Sequence, residues 1–199
     1  MPSVFQQASF VDRDNFPNFL NEKGLVGEAV EVGVHRGVFA KVILDHWKGR
    51  MLHLVDPWSI PLGYEEQAKN LISVLQGEES REMDLQETHR ILLPHGRRYI
   101  TYSATSERVL RYFADKSLDF VYLDGDHRHE EVLHDLQGWW SKLKPGGILG
   151  GHDWICHPPD TDSRGVQSAV TEFAKEASVD VFLVVEMKTQ PWSYYLIKE

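Results

Sequence analysis

Ala29-Val30-Glu31-Val32-Gly33-Val34-His35-Arg36-Gly37 is an apolar run that breaks on two glycines, and Phe39, Val42, Ile43 and Trp47 follow it at i, i+3, i+4 and i+8. The first part reads as a strand over Ala29 to Val34 and the second as one apolar helix face ending near Gly49. Strand, glycine turn and helix in this order form the opening half of a βαβ unit, which calls for a parallel partner strand.

The rest of the chain repeats the pattern. Met51 to Val55 reads as the second strand, closed by Asp56-Pro57, because proline breaks the ladder and restrains the residue before it. Pro61 to Leu92 is helical in pattern with an interruption at Gly77 to Ser80, so residues 61–95 are expected to contain a lid or insertion. Strands are expected at Arg98 to Tyr102, Leu118 to Leu123 and Ile148 to Gly151, and helices at Ser106 to Phe113, His129 to Leu143 and Val166 to Ala177. Pro145-Gly146-Gly147 stops the His129 to Leu143 helix. Val179 to Glu186 and Trp192 to Ile197 are β-rich and separated by only five residues, which suits an antiparallel hairpin. The expected fold is a Rossmann-like α/β domain over residues 1–199, its mostly parallel sheet covered by helices on both faces and ending in that hairpin, with residues 1–26 as a helical cap.

The 199 residues carry 30 Asp and Glu against 21 Lys and Arg, a net charge of −9. Such a surface repels phosphate backbones and anionic lipid, so neither nucleic acid nor membrane is an expected partner. Cys156 is the only cysteine, so no intramolecular disulfide forms, and the protein reads as cytoplasmic. A homo-oligomer remains open.

Glycines spaced G-x-x-x-G, with an acid two residues upstream of the first, depart from the dinucleotide fingerprint G-x-G-x-x-G and argue against a nicotinamide dehydrogenase. Glu31 would repel a pyrophosphate but could hold a cationic amine, while Gly33 and Gly37 free the turn for a ligand's close approach. Asp56 lies 25 residues after Glu31 at a strand end, where a carboxylate can accept hydrogen bonds from both hydroxyls of a ribose.

Asp119-Phe120-Val121-Tyr122-Leu123-Asp124-Gly125-Asp126-His127, Trp139-Trp140-Ser141-Lys142-Leu143-Lys144-Pro145-Gly146-Gly147-Ile148-Leu149 and Gly151-His152-Asp153-Trp154 resemble class I S-adenosylmethionine-dependent methyltransferases. The likeness is strongest to the small metal-dependent O-methyltransferases related to macrocin O-methyltransferase. The resemblance implies a seven-stranded sheet with the methyl donor across the carboxyl ends of its first strands, and a divalent cation, magnesium first. It assigns Glu31, Gly33 and Gly37 to the donor's amino acid portion, Asp56 with Pro57 and Trp58 to its ribose, and Ser103 and Ala104 to its adenine. Asp124 and Asp153 match metal carboxylates, and His127 matches a general base. His152 stands where those enzymes often carry an acid, and is taken as a third metal ligand.

Methyl transfer from a sulfonium is an in-line displacement, so the protein positions donor and acceptor and removes the acceptor's proton. Two carboxylates ending adjacent strands could hold an ion that acidifies a hydroxyl, with Asp124 itself a candidate catalytic group. The expectation is therefore an enzyme methylating a hydroxyl of a small molecule. Rival readings are a metal-free methyltransferase acting on nitrogen or protein, and a donor-binding module without catalysis.

Overall fold

The computed structural model describes residues 5–58, 78–154, 161–185 and 192–199, with the side chains of 78–81 and 161–164 left aside. Eight strands run β1 (Phe5–Gln7), β2 (Glu28–Val32), β3 (Met51–Asp56), β4 (Tyr99–Ser103), β5 (Leu118–Leu123), β6 (Leu143–Gly151), β7 (Val181–Val184) and β8 (Ser193–Ile197). Between them lie α1 (Phe16–Glu22), α2 (Val38–His46), α3 (Glu78–Leu92), α4 (Ser106–Leu110), α5 (His129–Lys142) and α6 (Thr161–Ala177).

The strands form one sheet in the order β1-β7-β8-β6-β5-β2-β3-β4, and only β8 runs against its neighbours. The central position of β5 explains its sequence, since all six of its residues are buried, as a parallel strand covered on both faces requires. Alternation along β2 and β3 sorts side chains to two cores. Val30, Val32 and Val55 face α4, α5 and α6 with Val121 and Leu149. Ala29, Leu52 and Leu54 face α1, α2 and α3 with Phe120 and Tyr122.

The expected Rossmann-like fold with its terminal hairpin is therefore present, with one strand more than the expected seven. The addition, β1, pairs in parallel with β7 inside the segment expected to be a helical cap, where the only α-helix among the described residues is Phe16–Glu22. Helix α5 ends one residue earlier than expected because Leu143 already pairs with Leu118, and Pro145-Gly146-Gly147 falls at a register irregularity within β6. Helix α4 is a short turn of helix, and α6 starts five residues before Val166. Of the expected 61–95 insertion, residues 61–77 lie outside the described residues, as do Cys156 and residues 157–160. Among the described residues, no helix is long and apolar enough to cross a membrane.

Candidate active site

The carboxyl ends of β2, β3, β5 and β6 meet on one edge of the sheet, which is where doubly wound folds bind ligands. Backbone bonds hold those ends together: Gly33 N–H donates to Val55 O, Asp124 N–H to Val32 O and His152 N–H to Leu123 O. Gly33 has φ +85°, and a Cβ there would collide with the Asp124 carbonyl oxygen. The close approach that this glycine permits in the fold is between two strand ends. Gly37 caps α2 in the left-handed region, and a Cβ on it would press on Thr88 of α3.

The turn after β2 is clipped from several sides. Asp56 Oδ2 accepts from the Val34 and His35 N–H groups at 3.0 and 2.9 Å, and Oδ1 accepts from Trp58 N–H at 2.7 Å. Trp58 is buried and its indole N–H donates to His35 O, to which the Thr88 hydroxyl also donates. Asp84, almost fully buried in α3, pairs with Arg36 and His35. Asp56 thus acts as the clasp of the turn, and Trp58 is a core residue. Ser103 stands exposed beside Asp56 in the ladder, with Ala104 half-buried after it and Pro57 at the end of β3.

Glu31 differs from its neighbours. Its side chain is 1% exposed, and Oε2 has no hydrogen-bond partner among the described residues. Burial first, and then the nearby Asp124 charge, push its pKa well above the ordinary carboxylate range, while Arg13 pulls it down. Arg13 also reaches Asp124 Oδ2 at 3.2 Å and lies over the Phe39 ring.

One strand farther along, Asp124, His152 and Asp153 each offer a ligand atom within 4.8 Å of the others. His152 Nδ1 lies 3.6 Å from Asp124 Oδ1 and 3.3 Å from Asp153 Oδ2, and its Nε2 is buried without a partner among the described residues. His127 Nε2 is 3.1 Å from Asp153 Oδ2, with a third of its side chain exposed. Asp153 adopts φ +58°, one of three non-glycine residues around this edge, with His35 and Trp58, held in the left-handed region. Burial raises the Asp124 pKa, against the lowering effect of His152. Two carboxylates with one imidazole suit Mg²⁺ or Mn²⁺ and admit Zn²⁺ or Fe²⁺, so the residues present fit a divalent ion.

Asp124, His127 and His152 line a small open pocket, walled also by Val132, Asp135, Val166 and Tyr194. Gly165 at the start of α6 packs against the His127 carbonyl, which fixes the pocket's far wall. Arg13, Asp135 and Tyr194 are site residues that sequence reasoning missed. Only Asp135 carries a local signal: an acid on the apolar stripe of Val132, Leu136 and Trp139 in α5.

Comparison with known proteins agrees with this fold. A methyltransferase-domain family model, Methyltransf_24, matches residues 30–154, and the chain belongs to that family, within the class I S-adenosylmethionine-dependent methyltransferases. Among solved structures it is similar to the O-methyltransferase TomG of Streptomyces achromogenes, involved in tomaymycin synthesis and solved with S-adenosylmethionine. That pair shares 11% identity, a TM-score of 0.66, and coverage of 94% of this chain and 79% of the other. An rRNA methylase from Streptococcus thermophilus gives 13% identity and a TM-score of 0.62 over 96% and 99% of the two chains. Spermidine synthase from Thermotoga maritima gives 14% and 0.62 over 92% and 57%. Identities this low show a shared fold and leave the acceptor to be argued from the site. A curated relative, the uncharacterized protein y4gI of Sinorhizobium fredii, is 27% identical over 86 residues, 41% of this chain and only 10% of that protein.

Proposed function

We propose that this protein transfers a methyl group from S-adenosylmethionine to a hydroxyl of a small molecule, with a divalent cation at Asp124, His152 and Asp153. The observation that carries the reading is the convergence of those three ligands and His127 at the edge where β2 presents the buried, unpartnered Glu31. Glu31 binds the cationic amine of the donor, which compensates a carboxylate that the fold leaves short of one hydrogen bond. Ser103 and Ala104 flank the adenine. Asp56 receives ribose hydroxyls by sharing or releasing the turn N–H groups that it now holds.

His127, paired with Asp153, takes the acceptor's proton, with the carboxylate orienting the imidazole. A cation held by Asp124, Asp153 and His152 would supply a lowered hydroxyl pKa. A small-molecule acceptor is favoured over nucleic acid by the net charge of −9 and by the acidic lining of the pocket.

The test begins with calorimetric titration of S-adenosylhomocysteine, which is expected to bind. It continues with a panel of phenols, catechols and glycosides assayed with Mg²⁺, Mn²⁺ or EDTA. Failure of S-adenosylhomocysteine to bind overturns the donor assignment. Full turnover in EDTA, or an active Asp153→Ala enzyme, overturns the metal and leaves a metal-free methyltransferase.

A further inference from the structure

The same pocket contains a polar group that methyl transfer does not use. Asp135 sits on the face of α5 that carries Val132, Leu136 and Trp139, all of them buried, so its carboxylate is turned into the protein. Trp139 Nε1–H donates to Ser106 Oγ at 2.8 Å, and Ser106 Oγ–H donates to Asp135 Oδ1 at 2.5 Å. That relay fixes the carboxylate and is its only hydrogen bond from the described residues, leaving Oδ2 without one.

Asp135 lies outside the set of donors that converge on one ion position. The nearby charges are Glu131 and Asp126, which disfavour its ionised form, and His134, which is the one group of opposite tendency. No lysine or arginine among the described residues pairs with it. Burial raises its pKa to about 6, so at neutral pH it is mostly an anion in search of a cation. Leu123, Val132 and Val166 supply aliphatic surface to the same pocket.

Building on the acceptor site assigned above, we propose that Asp135 binds a protonated amine of the acceptor, which is therefore an ammonium-bearing amphiphile with an apolar body. An anionic acceptor is disfavoured by the same lining, since Asp126 and Asp135 border the space it would enter outside the proposed cation position. Ser106 and Trp139 act as positioning residues, holding Oδ1 so that Oδ2 faces the ligand.

Three phenols of one shape and different charge test this by calorimetry at pH 7.5: tyramine, 4-ethylphenol and 3-(4-hydroxyphenyl)propanoate, each titrated with and without S-adenosylhomocysteine. Tyramine is expected to bind about tenfold or more tighter than 4-ethylphenol, the size of a hydrogen bond to a charged group, and the propanoate weakest. In Asp135→Asn, which keeps the acceptor for Ser106, tyramine should fall to within about twofold of 4-ethylphenol while S-adenosylhomocysteine affinity is unchanged. Equal affinities across the wild-type series, no binding of tyramine, or a variant that keeps the preference overturns the proposal. The wild-type series decides by itself if the variant does not fold. Loss of S-adenosylhomocysteine binding strikes the methyltransferase reading, whereas its binding with no preference for the amine strikes Asp135 alone.

Discussion

Asp56, Trp58 and Thr88, around the turn that follows β2, direct their hydrogen bonds at that turn, whereas His152 and Asp135, which line the pocket beyond β5, keep polar atoms without partners among the described residues. The first region is built like a structural joint and the second like a socket. Glu31 is the exception that ties them, because it belongs to the joint by sequence and to the socket by its orphaned oxygen. Groups that the protein satisfies internally report on folding when they are removed, and groups it leaves unsatisfied report on ligands.

The largest expected effect lies in the joint. Gly33→Val would place a β-branched side chain at φ +85° and against the Asp124 backbone, so both strain and overpacking oppose it. A loss of about 3 kcal/mol or more is expected in denaturant unfolding, well beyond that of an exposed strand substitution. A variant with a wild-type midpoint that merely fails to bind donor would reverse the comparison and return Gly33 to the ligand side.

The sequence carried the joint better than it carried its purpose. Parallel strands buried on both faces write themselves as apolar runs, and so β2, β3 and β5 are legible to within a residue or two. The edge strand Phe5–Gln7 was not, because three exposed residues without alternation become a strand only through the free edge of β7. Asp124, His127, His152 and Asp153 were legible as strand-end residues of a recognisable motif. Arg13 was not, since its partner Asp124 is 111 positions away and no local period marks it. The reach of Asp56 to Val34 and His35, and of Gly33 to Asp124, is likewise a matter of strands pairing across the chain.

In the socket, His127→Ala is expected to lower turnover about 10²-fold with donor affinity near wild type, as removal of a general base does. Steady-state rates beside calorimetry check it, and a fall in donor affinity of equal size would move His127 into the donor site. Glu31→Gln should weaken S-adenosylhomocysteine by about 1.5–3 kcal/mol through loss of a charge-assisted bond, yet make the free protein more stable at neutral pH. The sign follows from its raised pKa: the fold holds the Glu31 proton more tightly than the unfolded chain, so stability falls as pH rises from the ordinary carboxylate range through the raised value. Thermal unfolding between pH 4 and pH 8 checks this, and a less stable variant at neutral pH would make Glu31 a structural residue like Asp56.

The smallest effect separates socket from joint without any ligand. Asp135 titrates at about 6 in the fold, above the ordinary aspartate value, so the folded state binds a proton that the unfolded chain has already released. Stability from this site is therefore complete below about pH 4, declines between pH 4 and 6, and is lost above that window. Asp135→Asn should leave the melting temperature nearly unchanged at pH 4 and raise it at pH 7.5. A gain of about 1–2 kcal/mol, reduced from the full shift because the carboxylate borders an open pocket, corresponds to a few degrees in a domain of this size. Asp56→Asn, by contrast, removes a charge that three backbone N–H groups already satisfy, and should lower the melting temperature at pH 7.5. If both variants move the same way, the division into joint and socket fails, because a carboxylate held for a ligand and one held for the fold must respond with opposite signs.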